Sequence, residues 1–303
     1  MLLLVFVTAL TACSLVRVAY EQAPNLVFWR IDSYVDVDGE QSPRLRDAIE
    51  RWFAWHRRSE LPVYAALLWR AQREVMQPTT PAAVCAWVAE IEKRTDIALD
   101  ETVQPAAELM LTLTPEQLKH IERRFAKSLD EMRGDYLQAD VAERQAKALE
   151  RTQERYEMLY GKLDRAQTAQ LAALLSKSSF DPVRWIDERR LRQRDTLQVL
   201  NSVPGATRNS NDRTAALQQA RVAAQSLVRS TTHSPRADYR SYQQRLLQDN
   251  CALAAAMHNA MSAAQRQTAR AKLKGWEEDL RVLATAAPSA APRAVGVDAA
   301  LSR

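Results

Sequence analysis

Glycine is scarce in this chain: six among 303 residues, about a third of the usual share. Ala, Leu, Arg, Gln and Glu stand in its place. These are good helix formers, so the expected fold is all-α, a multi-helix bundle with one or more long amphipathic helices. Lysine is also rare. Of 42 basic residues eight are Lys and 34 are Arg, dispersed among 37 acidic residues. The net charge of +5 and pI near 9.2 therefore do not come from the basic block that nucleic acid selects, and no nucleic-acid partner is expected. Missing too are a His-x-x-x-His pair, a Cys-x-x-Cys pair, a Gly-rich phosphate loop and a Gly-x-Ser-x-Gly elbow. Those patterns hold metals, nucleotides and acyl groups. No cofactor, metal or catalytic residue is expected, and the chain does not read as an enzyme.

No apolar run reaches the roughly 20 residues of a membrane span. The run that opens the chain is shorter: residues 2–10 are apolar and uncharged, Leu10-Thr11-Ala12-Cys13 follows, and charge arrives at Arg17. This is a signal-peptide h-region ending in small residues before a cysteine, a lipobox. Residues 1–12 are expected to be removed. Cys13 would then carry diacylglycerol on its sulfur and an acyl group on the new amino terminus, making membrane lipid the first partner. Ser14, where an inner-membrane retention signal has Asp, points by analogy with other lipoproteins to the outer membrane facing the periplasm. Residues 13–23 read as a lipidated tether and 24–285 as a helical domain. Residues 286–303, rich in Ala and Pro, read as a disordered tail.

Cys85 and Cys251 are the remaining cysteines. In an oxidising periplasm an even pair invites a disulfide. The other reading is two buried thiols on separate helices, because a bridge needs Cα atoms within roughly 7 Å.

Along the chain, Ser42-Pro43 and Thr80-Pro81 pair an N-cap type with proline at the first helical position. Leu45, Ile49, Trp52, Phe53 and His56 recur at three and four residues, the period of a helix with one apolar face. From Thr114 a stripe of Leu118, Ile121, Phe125, Leu129 and Met132 continues through Tyr136 and Val141 towards Gly161. It reads as one helix of about 45 residues with a bend at Gly134. Residues 201–212 (NSVPGATRNSND) are the clearest interior loop and a candidate sub-boundary.

Three constellations invite chemistry. Asp32, Asp36, Asp38 and Glu40 surround Gly39, but on an EF-hand frame Tyr34 falls at the first ligand and Leu45 at the bidentate Glu. The carboxylates are better read as helix-end residues. Trp52-Phe53-Ala54-Trp55-His56-Arg57-Arg58 gathers aromatic, imidazole and guanidinium groups without a nucleophile. Trp29, Asp36, Asp38, Glu40, Trp55, His56 and Arg57 are the candidate binding surface. Lastly, Leu113-Thr114-Pro115-Glu116-Gln117 starts a helix with a capping box. Related starts occur at Leu163-Asp164-Arg165-Ala166-Gln167 and Met261-Ser262-Ala263-Ala264-Gln265, where generic capping is the plain reading.

The run 36–58, together with residues 113–117 and the lipobox, resembles the DUF6279 family of proteobacterial lipoproteins. That resemblance spans about Cys13 to Ala284 and implies no catalytic residue. Leu113-Thr114-Pro115-Glu116-Gln117 is also similar to the Leu-Thr-x-x-Gln motif of Spy and CpxP type periplasmic chaperones, helical proteins that cradle unfolded clients. The expected role is binding of envelope proteins or unfolded clients, as a holdase. The alternative is a structural adaptor of an envelope assembly or cell-wall complex with one defined partner.

Overall fold

The computed structural model describes residues 15–208 and 213–286. Among them are twelve α-helices and no strand: α1 Leu15–Val35, α2 Gln41–Ser59, α3 Leu61–Glu74, α4 Pro81–Asp100, α5 Val103–Met110, α6 Pro115–Tyr136, α7 Val141–Tyr160, α8 Arg165–Leu175, α9 Pro182–Arg208, α10 Arg213–Thr232, α11 Ala237–Asn259 and α12 Ala263–Thr285. The all-α expectation holds. Cys13, the expected signal peptide at 1–12 and the expected tail at 287–303 lie outside the described residues.

Successive helices form six hairpins that alternate between two lobes. Lobe A takes α1–α2, α5–α6 and α9–α10. Lobe B takes α3–α4, α7–α8 and α11–α12. Burial drives this sorting. In lobe A, Ala107, Met110, Leu118, Ile121, Leu200, Val203 and Ala220 close one core, with Phe28, Ile49 and Phe53 joining α1 to α2. In lobe B, Val75, Tyr160, Leu171, Met257, Ala269 and Leu273 close another.

A shift of six helices relates the lobes. The contacts α1 with α6, α2 with α5, α6 with α9 and α5 with α10 become α7 with α12, α8 with α11, α12 with α3 and α11 with α4, and all eight are present. The chain is thus built as two six-helix units whose middle hairpins, α3–α4 and α9–α10, each pack in the other unit's lobe. The lobes are not identical: α5 packs against α9, whereas α11 does not pack against α3 to the same extent. α9 and α10 pack along one another, whereas α3 and α4 diverge.

Cys85 on α4 and Cys251 on α11 are joined by a disulfide with Cα atoms 5.5 Å apart. The bond fastens the exchanged hairpin α3–α4 to the lobe that receives it. On the other side, the buried Glu188 of α9 accepts from Ser234 Oγ at 2.7 Å and pairs with Arg236 at 3.1 Å. That pairing holds the crossing from α10 to α11.

Four sequence expectations need correction. The 45-residue helix is two, because the chain breaks at residues 137–140, where Leu137 leaves helical geometry and Asp140 Oδ1 accepts from Ala142 N at 2.9 Å. α6 belongs to lobe A and α7 to lobe B, and a continuous helix could not serve both. Gly134 lies inside α6, not at the break. The loop at 201–212 is largely helix, since α9 runs to Arg208. Burial of Leu200 and Val203 carries the helix into a segment rich in turn-formers. Ser42 does not cap α2. Asp38 does, and the helix begins at Gln41. Residues 15–23, read as tether, are the first turns of α1, held by Tyr20 against Phe53 and by Arg17 paired with Asp279 of α12 at 3.1 Å.

Candidate functional site

The helix starts singled out by their glutamines converge in space, and a fourth joins them. Asp38 Oδ1 accepts from Gln41 N at 2.8 Å while Gln41 Oε1 accepts from Asp38 N at 3.1 Å. Thr114 with Gln117, Asp164 with Gln167 and Ser262 with Gln265 form the same reciprocal box. Each box leaves a glutamine Nε2 free to donate elsewhere, and the glutamines use it on each other. Gln117 Nε2 donates to Gln41 Oε1 at 2.6 Å and Gln41 Nε2 to Gln117 Oε1 at 3.1 Å. In lobe B, Gln167 and Gln265 do likewise at 2.8 and 2.9 Å.

The second acceptor of each amide is a carbonyl two residues before the partner's cap. Gln41 donates to Thr112 O, Gln117 to Asp36 O, Gln167 to Ala260 O and Gln265 to Lys162 O. Each lobe is therefore clasped where two hairpin turns meet, by a two-fold pair of amides. Buried amides with both their donors and their acceptor oxygen satisfied add specificity to a core that apolar packing alone leaves loose. The amides of each clasp are spent on one another and on these carbonyls, which suits them to holding the lobes; Gln41 and Thr112 also line a cavity in lobe A, and Gln265 is half-buried.

The aromatic cluster is also internal. His56 stacks on Trp52 with ring centroids 4.8 Å apart, its Nδ1 lies 2.8 Å from Tyr20 Oη, and the Arg57 guanidinium lies 5.0 Å over the Tyr20 ring. His56 and Arg57 are buried, Trp55 is half-buried, and Trp29, Asp36, Asp38 and Glu40 are exposed. The seven residues expected as one binding surface therefore do not form one. Asp32 and Asp38 spend their carboxylates on backbone N–H groups at the α1–α2 turn. Among the described residues no cluster of His, Cys, Asp and Glu could hold a metal ion.

Burial lowers the pKa of His56 to about 4 and pushes the Tyr20 hydroxyl up to about 12. His258 is lowered too, chiefly by burial, between Tyr160 Oη at 2.8 Å and Gln77 O at 2.7 Å. Because Gln77 O can only accept, His258 Nε2 carries the proton and Nδ1 accepts from the tyrosine. Both imidazoles are neutral at pH 7. As pH falls through the ordinary histidine value of 6.5 towards 4, the unfolded chain takes up protons that the folded chain refuses, so stability drops. Glu157 and Glu277, lowered first by the amides of Gln153 and Gln72, add loss in the same direction only below their ordinary value of 4.5. Melting temperature is expected to decline from pH 7 to pH 5, and His56→Phe to flatten that decline. An unchanged slope in the variant would contradict the assignment.

Of the grooves at the surface, one in each lobe lies beside an exchanged hairpin. In lobe A a cavity of about 650 Å³ lies among α2, α5 and α10, with Arg44, Glu108 and Arg213 around Leu45 and Leu217. In lobe B a cavity of about 510 Å³ is lined by Val75, Val84, Trp87, Tyr156, Leu159 and Leu253, together with Glu74, Arg155, Asn250 and His258. The divergence of α3 from α4 creates this second groove. Trp87 Nε1 donates to Glu74 Oε2 at 2.7 Å across it, and the Arg70 guanidinium covers the Trp87 ring at 3.8 Å. No motif marked this site in advance, because its lining comes from five helices spread over some 200 residues.

A third surface is the outer side of α1. Leu15, Val18, Leu26 and Trp29 are exposed, Leu15 to 83% and Trp29 to 59%, although Phe28 on the opposite side is in the core.

The fold and these surfaces define an all-helical, two-lobed protein, clasped by paired amides and grooved at its hairpin seams. The chain belongs to DUF6279, a family of unknown function, whose match covers residues 33–222. The match takes in the Asp38, Thr114 and Asp164 boxes and stops within α10, short of the extent that the sequence resemblance implied. No curated protein and no solved structure matches.

Proposed function

We propose that this protein is an outer-membrane lipoprotein, anchored by acylated Cys13 and facing the periplasm, that binds apolar segments of other envelope proteins as a holdase. The supporting observation is the lobe B groove. Its walls are mostly aliphatic and aromatic, with Glu74, Arg155, Asn250 and His258 set among them, and its volume lies in the range of sites that enclose small apolar groups. An apolar recess left open on a surface otherwise rich in Arg and Glu is the usual mark of a docking site.

A second reading, an adaptor with one defined partner, draws on the frame around the groove. The disulfide ties α4 to α11, and the Gln167–Gln265 clasp joins the α7–α8 and α11–α12 turns nearby. Rigid walls select one shape better than many.

Photo-crosslinking residues placed at Val84 and Leu159 in intact cells separate the two. Many unrelated envelope proteins captured from both positions, increasing under unfolding stress, are the expected result. A single partner captured at fixed stoichiometry would overturn the holdase and establish the adaptor. Capture from Trp29 but from neither groove position would remove the groove from both.

A further inference from the structure

We infer that the outer face of α1 lies in the bilayer interface, so that the protein meets the membrane along a helix as well as at its lipid. The inference rests on the reading of Cys13 as the anchor, because α1 begins at Leu15, two residues beyond that cysteine. With so short a connection, the first turns of α1 are held at the depth of the acyl-glycerol junction.

The face presented there suits it. At 3.6 residues per turn, Leu15, Val18, Ala19, Gln22, Leu26, Trp29, Arg30 and Ser33 fall on one stripe, and all eight are exposed. The stripe extends over most of the helix, about 27 Å at the standard rise per residue. Leu15, Val18, Leu26 and Trp29 belong to none of the core clusters and are 45–83% exposed, and the single charge of the stripe is the cation Arg30, which also reaches the Tyr34 hydroxyl at 3.2 Å. No carboxylate lies on it, since Glu21 and Asp32 fall on its flank. Arg17, the other cation of α1, is turned inward to Asp279.

A helix with apolar residues and a tryptophan along one side, a cation beside them and no acid is the composition of an interfacial helix. Its opposite side, Tyr20, Phe28 and Ile31, is committed to α2. No helix among the described residues is long and apolar enough to cross a membrane. The stripe therefore lies along the surface and does not span.

The test uses full-length protein purified with its natural amino terminus. It is reconstituted in vesicles of phosphatidylethanolamine and phosphatidylglycerol whose acyl chains are brominated near the headgroup. Tryptophan quenching is compared between the native chain and Trp29→Phe, a mild change at an exposed position, and the mass of the amino-terminal peptide reports acylation. The expected result is an acylated Cys13 and a quenched component of emission that disappears in W29F. An acylated Cys13 with equal quenching in both proteins would overturn the inference and leave the anchor standing. If Cys13 carries no acyl group, the anchor fails. Trp29-dependent quenching by vesicles alone would then still uphold the lipid-binding face, and its absence would overturn both.

Discussion

Serine at both Cys85 and Cys251 is expected to lower the unfolding free energy by about 3–5 kcal/mol and the melting temperature by roughly 5–15 °C. The two cysteines are 166 residues apart. A cross-link over so long a loop removes many conformations from the unfolded chain and few from the folded one. Its position adds a second effect. α4 crosses from one unit into the lobe of the other, and the bond to α11 is its covalent hold there. Without it, α3–α4 is left with its non-covalent contacts, chiefly with α12 and α11 and including Gln72 to Glu277 and Gln77 O to His258, and should open before the rest of the chain. Calorimetry of the native and doubly substituted proteins measures the first effect, and hydrogen exchange across 61–100 the second. A difference under about 1 kcal/mol would show that the two sulfurs are not joined in the protein as it is made.

Gln167→Ala is expected to cost about 2–4 kcal/mol, because it strands three polar partners at once in a largely dry site. Asp164 N–H loses the oxygen that closes the capping box, Ala260 O loses its donor, and Gln265 loses its amide partner. Gln170→Ala, three residues on and exposed, should stay within about 0.5 kcal/mol. The clasp also predicts how substitutions combine. Gln167→Ala with Gln265→Ala should cost less than the sum of the two, since the first already breaks the pair. Gln167→Ala with Gln41→Ala, one in each lobe, should be additive. Urea denaturation of this set distinguishes a paired clasp from four independent caps, for which every combination would add.

The four boxes show where sequence reasoning reached and where it stopped. Thr114, Asp164 and Ser262 were legible because a cap and a glutamine three residues on form a local pattern. Asp38 and Gln41 have the same spacing, preceded by Val37, but Ser42-Pro43 offers a competing start and drew the expected cap four residues late. The repeat also runs deeper than the caps. Seven residues beyond each cap stand Leu45, Ile121, Leu171 and Ala269, and eleven beyond stand Ile49, Phe125, Leu175 and Leu273. Each of these packs in a core cluster. This register was available in the chain and marks the hairpin pairs that meet. That the glutamines face one another was not available, because separations of 76 and 98 residues place no constraint on who meets whom.

Composition and local pattern alone determined that the protein is helical, that helices start at Thr80, Thr114, Asp164 and Ser262, and that Cys85 and Cys251 could pair. Those properties depend on backbone entropy and on hydrogen bonds within a few residues, which a sequence states directly. The tertiary structure decided the rest. It sent alternate hairpins to opposite lobes and cut the expected long helix at Asp140, because each half had its own core to join. It turned His56 and Arg57 inward, and it opened a groove where α3 diverges from α4. Each of these outcomes depends on which apolar faces find each other over separations of 50 to 200 residues, and that selection is made by packing in three dimensions.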